Sequence, residues 1–136
     1  MKGQMKMIDR KKILSRFQSE EEKFLASDTD SFGIYQLKVS DELRHLYFVG
    51  MDRLRTGGDF PRKRNYEFIY YGKLDEGMSL EKIYEIFNIY RLDDFVGHSL
   101  SVSDIVVIHK DGTNTAYYVD TIGFVKLDWL SSWKDL

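Results

Sequence analysis

The sequence contains no cysteine, so a disulfide framework, a thiolate zinc site and a cysteine nucleophile are all excluded. Its one proline is Pro61, and no apolar run approaches the roughly 18 residues that a membrane-spanning helix needs. The start, Met1-Lys2-Gly3-Gln4, lacks the apolar stretch of a signal peptide, and with the missing cysteines this predicts a cytoplasmic protein. A strong excess of charge is missing too. The formal net charge is −2 and the pI about 5.9, which argues against a globally basic nucleic-acid binder while leaving room for a local basic patch. The three histidines, His45, His98 and His109, are too far apart for a HExxH-type metal helix, and carboxylate-only magnesium binding by Asp104 and Asp120 follows no spacing rule. The sequence therefore predicts neither a metal nor a cofactor.

What is present is apolar mass, with 43% hydrophobic and 15% aromatic residues in 136, enough for one domain with a real core. The most informative stretch runs from Gly97 to Phe124. Ile105-Val106-Val107-Ile108 is an unbroken branched run, which fits a central strand covered on both faces. Asp111-Gly112 is a tight-turn dipeptide, because both central positions of a type I′ turn need positive φ. A hairpin with the Thr115–Phe124 stretch follows.

Ahead of that strand lies a polar cluster of His98, Ser99, Ser101, Ser103 and Asp104, with Asp120 on the returning strand. Two readings stand side by side. Short polar side chains commonly satisfy free backbone amides where a loop enters a sheet. Alternatively, His98 and a carboxylate, Asp104 or Asp120, form an acid/base or recognition site.

The remaining chain reads in order as α-β-β-β-α-β-β. Asp9 can cap a helix to about Ala26, carrying Ile13, Leu14, Phe17, Phe24 and Leu25 on an apolar face that Glu21 interrupts. Glu20-Glu21-Glu22 reads as a solvated face and residues 27–31 as a linker. Strands are expected over Phe32–Lys38, Leu43–Gly50 and Tyr66–Leu74, the last with Tyr66, Phe68 and Tyr70 on one face and Ile69 and Tyr71 on the other. Those aromatics read as packing residues rather than a base-stacking platform.

Residues 51–65 form the least regular stretch, holding Arg53, Arg55, Gly57, Gly58, Arg62, Lys63 and Arg64. Two readings again remain: a solvated loop, or a cradle for RNA or DNA phosphate. Ser79 is a good N-cap for a helix through Leu80, Ile83, Tyr84 and Phe87. Asp128 can cap a short final helix with Trp129, Leu130 and Trp133. His109 is expected to end its strand near the surface.

The fold class predicted is α+β: a five-stranded, mostly antiparallel sheet with one packed helix and an N-terminal accessory helix. The domain reading assigns residues 1–31 to the N-terminal helix and linker and 32–136 to the α+β domain.

Asp94-Phe95-Val96-Gly97-His98-Ser99-Leu100-Ser101-Val102-Ser103-Asp104-Ile105-Val106-Val107, then Tyr118-Val119-Asp120 and Gly123-Phe124, resembles the signature of the YodL-like domain family. Upstream, Ile34-Tyr35-Gln36-Leu37, Leu43-Arg44, Phe48, Tyr66, Tyr71-Gly72-Lys73-Leu74, Leu80 and Ile83-Tyr84 are similar in order and spacing, so the resemblance spans roughly residues 32–127. It implies a protein of plasmids, conjugative elements or phages of Gram-positive bacteria, a setting shared with anti-restriction and other counter-defence domains. No biochemical activity comes with it.

The leading expectation is accordingly a small interaction protein of a mobile element that binds and inhibits a bacterial protein or ribonucleoprotein, such as a restriction or CRISPR effector. Its binding residues would be His98, Ser99, Ser101 and Ser103, with RNA phosphate contact through Arg53, Arg55, Arg62, Lys63 and Arg64, and no membrane contact. The alternatives are a metal-independent ribonuclease-like enzyme using His98 with Asp104 or Asp120, and a scaffold module acting on host physiology.

Overall fold

The computed structural model describes residues 20–89 and 97–127. The expected helical positions before residue 20 and the helix after Asp128 lie outside the described residues.

Residues 20–25 are helical (α1) and lead through a short turn into strand β1, Ser31–Leu37. Helix α2 is Met51–Thr56, strand β2 Tyr66–Lys73, and helix α3 Leu80–Ile89. Strands β3 (Ile105–Lys110), β4 (Thr113–Val119) and β5 (Phe124–Lys126) complete an antiparallel sheet ordered β2-β1-β3-β4-β5. The α+β class and the five-stranded antiparallel sheet hold.

The branched run occupies the middle strand, and Ile105, Val106 and Val107 are fully buried. Its side chains alternate between two apolar layers, as the period of a strand requires. Ile105 and Val107 join Phe24, Tyr35, Leu37, Met51, Leu54 and Tyr118 on the face covered by α1 and α2. Val106 joins Phe32, Ile34, Ile83, Phe87 and Leu100 on the face covered by α3. Asp111 and Gly112 make the β3–β4 turn at φ +52° and +77°, the positive values that their residue types tolerate. Ser79 caps α3, its Oγ accepting from Lys82 N at 3.1 Å.

Leu43–Gly50 is not a strand. Asp41–Leu46 forms a 3₁₀ helix capped by Ser40, and the fifth strand is instead the short β5. Acidic Asp41 and Glu42 in its first turn suit the free amides there, and Ser40 Oγ accepts from Glu42 N. Leu46, Tyr47 and Val49 pack on the first apolar layer, so apolar residues at both strand parities reflect a segment wrapping the sheet. Residues 51–56, expected to be irregular, form α2 around the buried pair Met51 and Leu54 at i, i+3 spacing.

The strict alternation expected in β2 is also broken. Ile34 pairs with Tyr70 and Tyr35 with Phe68, so Ile69 is an extra residue, a β-bulge that reassigns the following side chains. Phe68 and Tyr71 therefore share the layer of Phe24, whereas Ile69 and Tyr70 lie with Phe32 and Phe87. These rings pack into the core, as the packing reading required. Glu21 is no solvated residue: it accepts the Tyr35 hydroxyl at 2.6 Å and pairs with Lys63 at 3.1 Å. His109, expected near the surface, is buried. Its Nε2 meets Ser27 O and its Nδ1 meets Asn114 Oδ1, both at 2.6 Å, tying the α1–β1 turn to the sheet.

Candidate functional site

At one end of the sheet β1 and β4 finish and β2, β3 and β5 begin. The polar segment 97–104 lies there. It is held from three sides. Leu100 N donates to Phe87 O at the end of α3, and Asn88 Nδ2 donates to Leu100 O. Ser103 N donates to Val119 O, and Val119 N to Asp104 O, prolonging the β3–β4 ladder. Gln36, a buried polar residue on β1, binds the segment from the third side.

The Gln36 amide has two N–H groups, and they reach His98 O at 2.8 Å and Asp104 Oδ2 at 3.1 Å. Its 3.3 Å approach to His98 Nδ1 is then a close contact and not a third bond. Nδ1 carries its own proton and donates to Ser99 O at 2.7 Å, which fixes the ring's tautomer and orientation. The other nitrogen, Nε2, turns inward to Asp104 Oδ1 at 3.8 Å. The segment has no room for a side chain at Gly97, since a Cβ there would lie 2.2 Å from Gln36 Oε1.

Asp104 is almost fully buried beneath His98, whose own side chain is 51% exposed. Ser101 N donates to Asp104 Oδ2 at 2.9 Å. Burial raises the Asp104 carboxyl to about 8, outweighing the hydrogen bonds from Ser101 and Gln36 that favour its charged form. The carboxyl under the imidazole therefore holds its proton well above the usual carboxylate range.

Beside this pair stands Phe48, 63% exposed, with its ring edge-on to His98 at a centroid distance of 6.2 Å. Its backbone adopts φ +60°, unusual for an aromatic residue. Ser103, in the turn closed by Asp104 N to Ser101 O, has φ +87°, where such turns favour glycine. The two strained residues clasp each other, Phe48 N donating to Ser103 Oγ at 3.1 Å. Buried tyrosines support the clasp. Tyr66 donates its hydroxyl to Ser103 O and Tyr118 its hydroxyl to Val49 O, each at 2.6 Å, and burial pushes both phenols above their ordinary range.

The structure thus brings together His98, Ser99, Ser101, Ser103 and Asp104. Asp120 has other work. Its Oδ1 accepts from Met51 N at 3.0 Å and Thr121 N at 2.8 Å, capping α2, whose own N-cap is Gly50. Asp120→Ala is expected to cost about 1–2 kcal/mol and Asp120→Asn much less, because an amide oxygen still accepts. Thermal melts of both variants check this; equal losses would contradict the capping role.

Arg53 and Arg55 are exposed on α2, Arg62 and Arg64 are exposed before β2, and none of the four has an ion pair among the described residues. Lys63 is committed to Glu21 and lies over the Tyr35 ring. Among the described residues, no group of three His, Cys, Asp or Glu side chains is placed to hold a metal ion, and no helix is long and apolar enough to cross a membrane.

Reading the sequence missed Gln36, Phe48, Tyr66 and Tyr118 as parts of this site. Gln36 had a signal, as the one polar side chain inside the run from Phe32 to Leu37. Phe48 had only its place among the positions that resemble the family, because its exposure depends on a backbone conformation that its residue type disfavours.

No curated protein and no solved structure matches the chain. The family model of the YodL-like domain matches residues 31–129, which takes in β1 through β5, the clasped loops and the segment around His98. The chain belongs to the YodL-like domain family.

Proposed function

We propose that this protein is a cytoplasmic interaction module of a mobile element, which binds a bacterial protein or ribonucleoprotein, such as a restriction or CRISPR effector, and inhibits it. The observation that carries the reading is the orientation of His98. Nδ1 is engaged with Ser99 O, Nε2 lies 3.8 Å from the buried Asp104 carboxyl, and the half-exposed ring stands edge-on to the exposed Phe48. A general acid or base must reach a substrate proton through a ring nitrogen. A recognition surface needs only a rigid aromatic anchor, and strained backbone held by a clasp is a common price of such sites. The setting within mobile elements comes from the family resemblance.

The ribonuclease reading has one observation in its favour, a buried carboxyl 3.8 Å from an imidazole nitrogen, with its pKa raised by that burial. The two readings separate on the variants Phe48→Asp and His98→Ala. Tagged wild-type protein, incubated with a Gram-positive host lysate, should retain a discrete complex and restore transformation by a plasmid that the effector targets. Phe48→Asp should lose both, while wild-type protein cleaves no RNA. Multiple-turnover RNA cleavage that falls about 10²–10⁴-fold in His98→Ala, with the partner still bound, would establish the enzyme instead.

A further inference from the structure

From the backbone of the two clasped turns, we infer that the Tyr47–Phe48 peptide is a two-state latch at the recognition end. Clasped, its N–H is held on Ser103 Oγ; released, the peptide flips and the Phe48 ring is no longer fixed against His98. This deepens the proposed function by giving its site a regulation, since a partner that touches both rings selects the clasped state. That use rests on the proposed reading, whereas the latch itself does not.

Tyr47 and Phe48 are the central residues of a turn. Tyr47 has φ −67° and ψ 131°, and Phe48 has φ +60°. These are the angles of a type II turn, whose second central position calls for glycine or asparagine. Rotating the one peptide plane between them gives a type I turn, where that position has φ of about −90° and suits most side chains. The flip needs little room, because it moves only the Tyr47 carbonyl and the Phe48 N–H. Among the described residues no hydrogen bond holds that carbonyl, and Ser103 Oγ alone holds that N–H, at 3.1 Å. The neighbours stay in place. Ser40 N donates to the Tyr47 hydroxyl at 3.3 Å and the Tyr118 hydroxyl to Val49 O at 2.6 Å, which confines the motion to the peptide between these anchors.

Ser103 is the fixed half. It too stands at the second central position of a type II turn, since Val102 before it has no positive φ and Asp104 N closes the turn onto Ser101 O. However, Ser103 N donates to Val119 O and Ser103 O accepts from the Tyr66 hydroxyl, so both of its peptides are pinned to the sheet. Its φ of +87° is imposed, and its hydroxyl reaches across to the moving half. The balance at Phe48 is close. A left-handed conformation weighs against an L side chain by roughly 5–30-fold. One hydrogen bond weighs for the clasp by about 2–12-fold. The edge-on contact of the Phe48 ring with His98 adds a factor of similar size on the same side. Opposed terms of one order make a two-state element rather than a locked one.

The test is hydrogen exchange of the residue 48 amide, read by NMR on the purified chain, with the NOE between that amide and its own α proton reporting the sign of φ. In wild type this amide should exchange through the flip, faster than the amides of β3 and without unfolding of the sheet. Ser103→Ala removes the catch, so exchange at Phe48 should quicken about tenfold and its NOE weaken while the β3 amides stay unchanged. Phe48→Gly and Phe48→Ala both lose the ring, but only glycine is free of strain. Corrected for intrinsic rates, exchange at residue 48 should be about tenfold slower in the glycine variant. Should Ser103→Ala fail to fold, this exposed pair decides alone. Exchange at Phe48 only through global unfolding, unchanged exchange in Ser103→Ala, or equal exchange in the two Phe48 variants would overturn the inference. None of these measurements uses a partner, so such a failure leaves the proposed function standing. A working latch in a protein that retains no complex from lysate would support the inference and sink the proposed function instead.

Discussion

Val106→Asp or Val107→Asp is expected to unfold the domain outright. Both side chains are fully buried on the middle strand of five, and they point into opposite apolar layers, Val106 toward Phe87 and Leu100, Val107 toward Phe24 and Tyr35. Each substitution forfeits about 1.5–3 kcal/mol of apolar burial. It also places a carboxyl among hydrocarbon with no partner, which costs several kcal/mol more, against a total stability of about 5–15 kcal/mol. The pair makes a stringent measurement because the two variants probe the two faces separately. Loss of the cooperative transition in both, by circular dichroism and hydrogen exchange, is the expected result. A near-native melting temperature in either one would mean that its face of the sheet is not covered by a packed layer.

The same strand shows why the fold was largely legible in the sequence. A branched run, a type I′ turn dipeptide and a capped amphipathic helix are local signals, and each specified its element. The failures share another cause. Leu43–Gly50 carries strand-like residues, yet Ser40 caps a 3₁₀ turn there and Tyr47 donates its hydroxyl to Lys38 O, a tertiary closure that no period records. Helix α2 draws its cap from Asp120, 69 residues away in the chain. The bulge at Ile69 is set by pairing with β1. In each case a partner distant in sequence decides the local structure.

The candidate site follows the same division. The cluster of His98, Ser99, Ser101, Ser103 and Asp104 was visible because it is contiguous, and the structure confirms its proximity. The roles within it were not visible, since they depend on Gln36 reaching from β1 and on Phe48 being clasped by Ser103. The basic stretch divides likewise. Lys63 turns inward to Glu21, and the arginines on either side of it remain outside.

Asp104 should make the protein less stable as pH rises, the reverse of the usual carboxylate. Its folded pKa, about 8, lies far above the ordinary 3.8 that it regains on unfolding. Below pH about 4 both states keep the proton and the contribution to stability is complete. Between 4 and 8 the unfolded chain releases the proton while the folded chain holds it, so stability declines; above 8 both are ionised and the contribution is gone. A difference of this size corresponds to several kcal/mol. Asp104→Asn removes the ionisation and keeps the geometry: the amide oxygen accepts from Ser101 N and Gln36 Nε2, and the amide N–H₂ faces His98 Nε2. The variant should match wild type near pH 4, melt about 10–20 °C above it at pH 8.5, and flatten the slope between. An Asp104→Asn protein less stable than wild type at every pH would show instead that the carboxyl is ionised and paired with a charged His98. That result would also restore His98 as a proton carrier and move the balance of readings toward the enzyme.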